Sequence, residues 1–125
     1  MVGIKKDLEA FVDEMLLQLG FNEKLIGFMY IKFCIIYYIE QAAVSSKNLS
    51  LTKIVYPECA KYFNCTPESV ERSIRFCIKQ CWLYGNTENQ SIMFSDCIGF
   101  NTFSPSTTLL FDRLIRCTIC RGYAR

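Results

Sequence analysis

The sequence contains no histidine. That absence removes the usual general base, the commonest metal ligand and most nucleophile–base pairs together. No glycine-rich phosphate loop or nucleophile motif takes their place, so an enzyme is not expected. Long apolar runs are missing too. The most apolar stretch, 25–39, is broken by Lys32 and falls short of the ~20 residues a membrane span needs, so it reads as a core helix. Residues 1–20 interleave Lys5, Lys6, Asp7, Glu9, Asp13 and Glu14 with apolar side chains, a pattern unlike the apolar centre of a secretory signal. Charge of one sign is also scarce. The net charge is +2, weak for a nucleic-acid binder, so any basic patch must be local.

Hydrophobicity and cysteine are what the chain has in quantity. Hydrophobic residues make up 51% of its 125 positions and charged ones 21%, enough for one globular domain, 1–125, with a real core. The eight cysteines stand at apolar positions rather than in a loop-rich framework, which points to a reducing cytoplasm rather than to disulfides. Cys117 and Cys120 are spaced as half of a zinc site, and Cys77 and Cys81 are candidates for the other half. Against this, Cys77 and Cys81 fall on the core stripe of a helix, where cysteine acts as a small hydrophobe. A lone CxxC near a terminus carries little, and neither metal nor cofactor is expected.

Helical periodicity runs through the chain. Ile4, Leu8, Phe11, Met15 and Leu19 define an amphipathic first helix closed by Gly20. A second, over 22–45, is apolar nearly all round and must be surrounded by others. Ser50 can cap a short run over 51–56, which Pro57 stops or kinks before a helix over 57–63. After a turn at Asn64 and Cys65, Thr66 caps and Pro67 opens a helix that runs to Gly85, placed as its C′ residue. A short helix near 90–94 and a last amphipathic one from Ser104 or Ser106, carrying Leu109, Leu110, Leu114 and Ile115, complete an all-α fold of about six helices.

Residues 57–84 read as a helix-turn-helix. Ala60 is small enough for a close helix crossing, Phe63 and Val70 face a shared core, and Asn64 sits where the turn favours positive φ. Val70, Ile74, Cys77 and Cys81 point inward; Glu68, Glu71, Arg72, Arg75 and Lys79 fall on the other side. Arginine bonds guanine O6 and N7 bidentately and glutamate accepts from cytosine N4, so Glu71, Arg72 and Arg75 are the candidates for reading bases in the major groove. Lys47, Lys53, Thr66, Glu68, Ser69 and Lys79 are the candidates for the phosphate backbone. The plainer reading of the same face is a solvated surface laced with Glu68–Arg72 and Glu71–Arg75 pairs. Tyr30, Tyr37 and Tyr38 read as core and rim packing, Trp82 as a core anchor, and Asp7, Asp13 and Glu14 as a solvated face.

The segment 51–82, LTKIVYPECAKYFNCTPESVERSIRFCIKQCW, carries TK-x-x-YP, AK-x-(Y/F)-N-x-T and VER-x-IR, followed by W-x-x-GN; IGFMYIK stands at 26–32. With these motifs the chain resembles, from 8 to 114, the C-terminal DNA-binding domain of the stage zero A response regulators, master transcription factors of sporulation in endospore-forming bacteria. The resemblance implies an all-helical effector domain on TGTCGAA-like boxes, often as tandem copies, with Glu71, Arg72 and Arg75 touching bases. It also implies a contact between roughly 86–98 and the sigma subunit of RNA polymerase.

The departures from the family are specific. Ser69, Tyr84, Thr102 and Ser104 stand where the family has cations, and each lost cation weakens the hold on phosphate. The last helix is about one turn shorter. The family carries a phosphoacceptor receiver domain ahead of this one and the 125 residues hold none, so phosphorylation is not expected to be its own switch. The expected function is therefore a sequence-specific regulator on double-stranded DNA. The alternative is an interaction protein of the same fold that modulates a full-length regulator or RNA polymerase without productive DNA binding.

Overall fold

The computed structural model describes residues 2–44, 49–94 and 104–121. They form six helices and no strand: α1 (Val2–Leu19), α2 (Ile26–Val44), α3 (Tyr56–Phe63), α4 (Pro67–Tyr84), α5 (Thr87–Phe94) and α6 (Thr107–Cys120). The all-α expectation holds. Lys47, Thr102 and residues 95–98 lie outside the described residues. Among those described, no helix is long and apolar enough to cross a membrane.

α2 is the central element, touching α1, α3, α4 and α6. Its Ile31, Cys34 and Ile35 are fully buried, which is why its sequence lacks a polar stripe. It begins later than its composition suggests. The Asn22 side chain accepts from the Lys24 N–H at 2.9 Å, so 22–25 make a polar turn and the helix starts at Ile26. Lys32, the one cation inside α2, is spoken for: its Nζ donates to Asp13 on α1 at 3.0 Å. Asp13 is thus a pairing residue rather than part of a purely solvated face.

Helix ends follow their local chemistry. At the end of α1 the Phe21 N–H bonds the Leu16 carbonyl and the Gly20 N–H the Leu17 carbonyl, both at 3.0 Å, with Gly20 at φ +99°. This pattern closes a helix through a left-handed residue. α3 ends the same way on Asn64 at φ 59°, with Cys65 N–H on the Ala60 carbonyl at 2.9 Å. Before α3, residues 51–55 form one wide turn in which the Ile54 and Val55 N–H groups share the Ser50 carbonyl, and the Ser50 hydroxyl accepts from Lys53 N–H at 3.1 Å. Pro57 does not stop the chain. It sits in the first turn of α3, where its missing N–H costs nothing.

Gly85 is a correction. It is extended, at φ −88°, not a left-handed C′ residue. Its value is closeness: a Cβ there would lie 2.4 Å from the Cys81 carbonyl and 2.9 Å from that of Leu19. The ends of α1 and α4 meet at this point. The Leu19 carbonyl accepts from Asn86 N–H at 3.1 Å and from the buried Gln90 Nε2 at 3.1 Å. Gln90 also reaches the Cys81 carbonyl at 2.9 Å. Asn86 starts α5 earlier than expected by accepting from Asn89 N–H at 2.9 Å.

Candidate nucleic-acid interface

The geometry of α4 begins with Thr66, whose hydroxyl accepts from Ser69 N–H at 3.1 Å. Pro67 follows in the first turn, and Glu68 presents a main-chain N–H there. Inward, Val70, Ile74, Cys77, Ile78 and Cys81 recur every three or four residues and are all buried. They pack on α2 and α3. On α3, Cys59, Ala60 and Tyr56 form the buried side, with Ala60 giving the close crossing expected of it. On α2, Gly27 does the same. A Cβ at Gly27 would lie 2.4 Å from the Ser73 carbonyl and 2.7 Å from the Cys77 Cβ. α4 is therefore seated chiefly on α2 and α3, with a smaller contact to α6 and its outer face in solvent.

That face carries the expected side chains. Glu68, Arg72, Arg75 and Lys79 are exposed, while Glu71 and Ser69 are half-buried. Of the two ion pairs the spacing allows, one forms: Arg75 donates to the Glu71 carboxylate at 2.6 Å. Arg72 and Lys79 project with no ion-pair partner among the described residues. Lys53 is exposed in the wide turn ahead of α3. Three residues on, the buried Tyr56 lies close enough to Glu71 and Arg75 to feel both charges. Burial chiefly holds its hydroxyl well above the usual tyrosine range; the Cys34 thiol and the Glu71 carboxylate add to this and Arg75 opposes it. Tyr56, buried on α3, thus lies within electrostatic reach of the Glu71–Arg75 pair, a proximity that periodicity alone did not reveal.

Two further features escaped the sequence reading. Arg75, Ile78 and Lys79 share a groove of about 360 Å³ with Ser104, Ser106 and Thr108. The Ser106 hydroxyl caps α6 by accepting from Leu109 N–H at 3.2 Å, so the amino end of α6 lies beside the cations of α4. Phe76, four residues after Arg72, is 52% exposed on the flank of the same face. The spacing of Arg72, Phe76 and Lys79 was the available signal. Trp82 meets Phe21 and Phe94 edge-on, with ring centroids 6.2 and 5.5 Å away, as an anchor at the end of α4 would.

The cysteines take core and surface positions. Cys77 and Cys81 are buried and Cys120 is exposed. Among the described residues no group of three or more cysteine or acidic side chains is placed to hold a metal ion.

An all-helical fold with a capped helix, a left-handed turn residue and a cation-bearing outer face on the second helix is that of a helix-turn-helix DNA-binding domain. Residues 12–116 match the family model described as sporulation initiation factor Spo0A C terminal, and the chain belongs to that family. It is a family of regulatory domains that bind double-stranded DNA in transcription control, not a family of enzymes.

Proposed function

We propose that the chain reads short TGTCGAA-like boxes in duplex DNA with α4 in the major groove, and that it regulates transcription from them. Arg72, Arg75 and Glu71 are the base readers: the two guanidinium groups bond guanine edges, and the Glu71 carboxylate accepts from cytosine. Lys79, with the amino end of α6 across the groove, takes one phosphate. Lys53, Lys47, the Thr66 hydroxyl, the Ser69 side chain and the Glu68 main-chain N–H take others along the backbone. The observation that carries this reading is the exposed Arg72, with no ion-pair partner among the described residues, on the outer face of a helix held from behind by α2 and α3. Tandem copies on DNA, a nucleoid location in the cytoplasm and a sigma-subunit contact through α5 and the residues after it complete the proposal. Ile92, 71% exposed on α5, is the apolar element that such a contact would use. A gel shift with a tandem TGTCGAA duplex and a scrambled duplex tests it. A box-specific band supports the reading, and its absence at low salt removes it.

A second reading has one observation in its favour. The Glu71–Arg75 pair neutralises part of the face, and Ser69 and Ser104 add no charge where the family has cations. A domain that kept the fold while losing DNA affinity would act by binding a full-length regulator or RNA polymerase. Copurification with the full-length regulator, and no specific gel shift, is the outcome that would favour it.

A further inference from the structure

On the side of α2 turned away from α4 lies a second surface. Met29, Phe33, Ile36 and Glu40 recur at three- and four-residue steps, which puts them on one face of the helix. Gly27 and Ile31, on the opposite side, are buried, and Gly27 is packed against α4. With Glu9 of α1 and Tyr62 and Phe63 of α3, this face lines a groove of about 260 Å³. Its floor is aromatic. The Phe33 ring lies 4.9 Å from Tyr62 and stacks on Tyr37 at 5.9 Å with 11° between planes, and Tyr62 meets Phe63 edge-on at 4.9 Å. Nothing among the described residues covers it: Met29 is 47% exposed and Tyr62 71%.

The rim decides what chemistry fits. Lys32 is held by Asp13 at 3.0 Å and by Glu9 at 4.0 Å, so its charge is already answered. Lys61 pairs with Glu58 at 3.8 Å. Glu40 is exposed and has no ion-pair partner among the described residues. Glu58 is near enough to Tyr37 to help burial hold that hydroxyl above its usual range. The groove is therefore apolar within and acidic at its edge, the reverse of the outer face of α4. Phosphate is repelled there. A cation beside an apolar side chain is attracted twice, once by the carboxylates and once by the exposed aromatic faces. The volume lies below the usual range of small-molecule pockets, ~300–1,000 Å³, which suits a peptide side chain rather than an enclosed ligand.

We propose that the groove between α1, α2 and α3 docks a basic segment of a partner protein, an apolar residue entering between Met29, Ile36 and Tyr62 while a neighbouring arginine or lysine lies between Glu9 and Glu40. Because the groove is on the far side of α2 from α4, the partner and DNA bind together. The inference does not depend on which DNA sequence α4 reads.

Two blocked tetrapeptides of equal apolar content test it, Ac-Leu-Arg-Leu-Arg-NH2 and Ac-Leu-Glu-Leu-Glu-NH2, titrated into ¹⁵N-labelled protein. The basic peptide is expected to shift the amide signals of Met29, Phe33, Ile36, Glu40 and Tyr62, and the acidic one to leave them still. Glu40→Lys and Tyr62→Ala, both at exposed positions, each raise the apparent dissociation constant about tenfold and leave the rest of the spectrum in place. Equal shifts with both peptides, or shifts confined to other surfaces, overturn the proposal. So does a concentration-dependent dimer that Glu40→Lys dissolves, because it would give the groove to a second copy of this chain.

Discussion

The Arg75 guanidinium lies 2.6 Å from the Glu71 carboxylate one turn back on α4. Both belong to the proposed base-reading set, so in the free protein two readers hold each other. An exposed pair of this kind contributes only ~0–1 kcal/mol, and it opens readily when a base edge competes. Until then Glu71 fixes the direction of Arg75, which lowers the entropy lost on binding. Arg72, with no such partner, pays that loss in full.

Removing these side chains separates reading from folding. Arg72→Ala and Arg75→Ala should each weaken binding to a TGTCGAA box about 5- to 150-fold, the equivalent of ~1–3 kcal/mol. Stability should stay within ~0.5 kcal/mol, since both side chains are exposed. Glu71→Ala should lower the preference for the box while raising binding to scrambled DNA, because it removes a negative charge and frees Arg75 for phosphate. Fluorescence anisotropy on both duplexes, with urea unfolding alongside, checks all three.

Much of this was legible in the residues. Thr66 and Pro67 announced α4, Asn64 the left-handed turn, and Val70, Ile74, Cys77 and Cys81 the buried stripe, because each depends on neighbours close in sequence. What was not legible depends on distant partners. Gly85 closes α4 as its neighbours suggest, its N–H on the Cys81 carbonyl at 2.7 Å, but in an extended conformation against the Leu19 carbonyl far back in the chain. Asp13 looked solvated until α2 brought Lys32 to it. The nearness of Tyr56 to the Glu71 and Arg75 charges, and the approach of α6 to Lys79, arise only once helices from separate parts of the sequence pack together. Among the proposed contact residues, the outward position of Arg72, Arg75 and Lys79 was predictable; which of them would be paired was not.

Gly27 is expected to be the most sensitive position behind the recognition helix. A methyl group there would lie 2.4 Å from the Ser73 carbonyl, so Gly27→Ala must push α2 and α4 apart. Overpacking of this kind costs ~1–3 kcal/mol. The melting temperature and DNA affinity should fall together, whereas Arg72→Ala lowers affinity alone. Thermal melts paired with anisotropy distinguish them.

The turn between α3 and α4 makes a paired test. Asn64 adopts φ 59°, which glycine takes freely and alanine does not. Asn64→Gly should be close to neutral and Asn64→Ala should destabilise by ~1 kcal/mol. Thr66→Ala removes the bond to Ser69 N–H and should cost a similar ~1 kcal/mol. Urea midpoints at constant slope give the three values.

Stability should fall on the alkaline side. Burial pushes the Cys77 thiol from 9.0 up to about 11, and burial with the nearby Cys77 pushes Cys81 up to about 12. The folded state therefore keeps both protons where the unfolded chain has begun to release them. Their contribution is complete below pH 9 and is lost progressively between there and pH 12. Urea unfolding from pH 7.5 upward, under reducing conditions, should show stability declining above about pH 9. Cys81→Ala should flatten that decline while lowering stability at neutral pH.

Base reading by α4 separates from plain phosphate binding in the salt dependence of affinity. Wild-type protein is titrated onto a tandem TGTCGAA duplex and a scrambled duplex at several salt concentrations, beside Lys79→Ala and the Arg72→Ala/Arg75→Ala double variant. Binding to the box should be at least about tenfold tighter, a preference that the double variant abolishes. Lys79→Ala should weaken both duplexes alike and reduce the logarithmic salt slope by about one. Equal affinity of the wild type for both duplexes, or a preference that survives the double variant, would contradict base reading by α4.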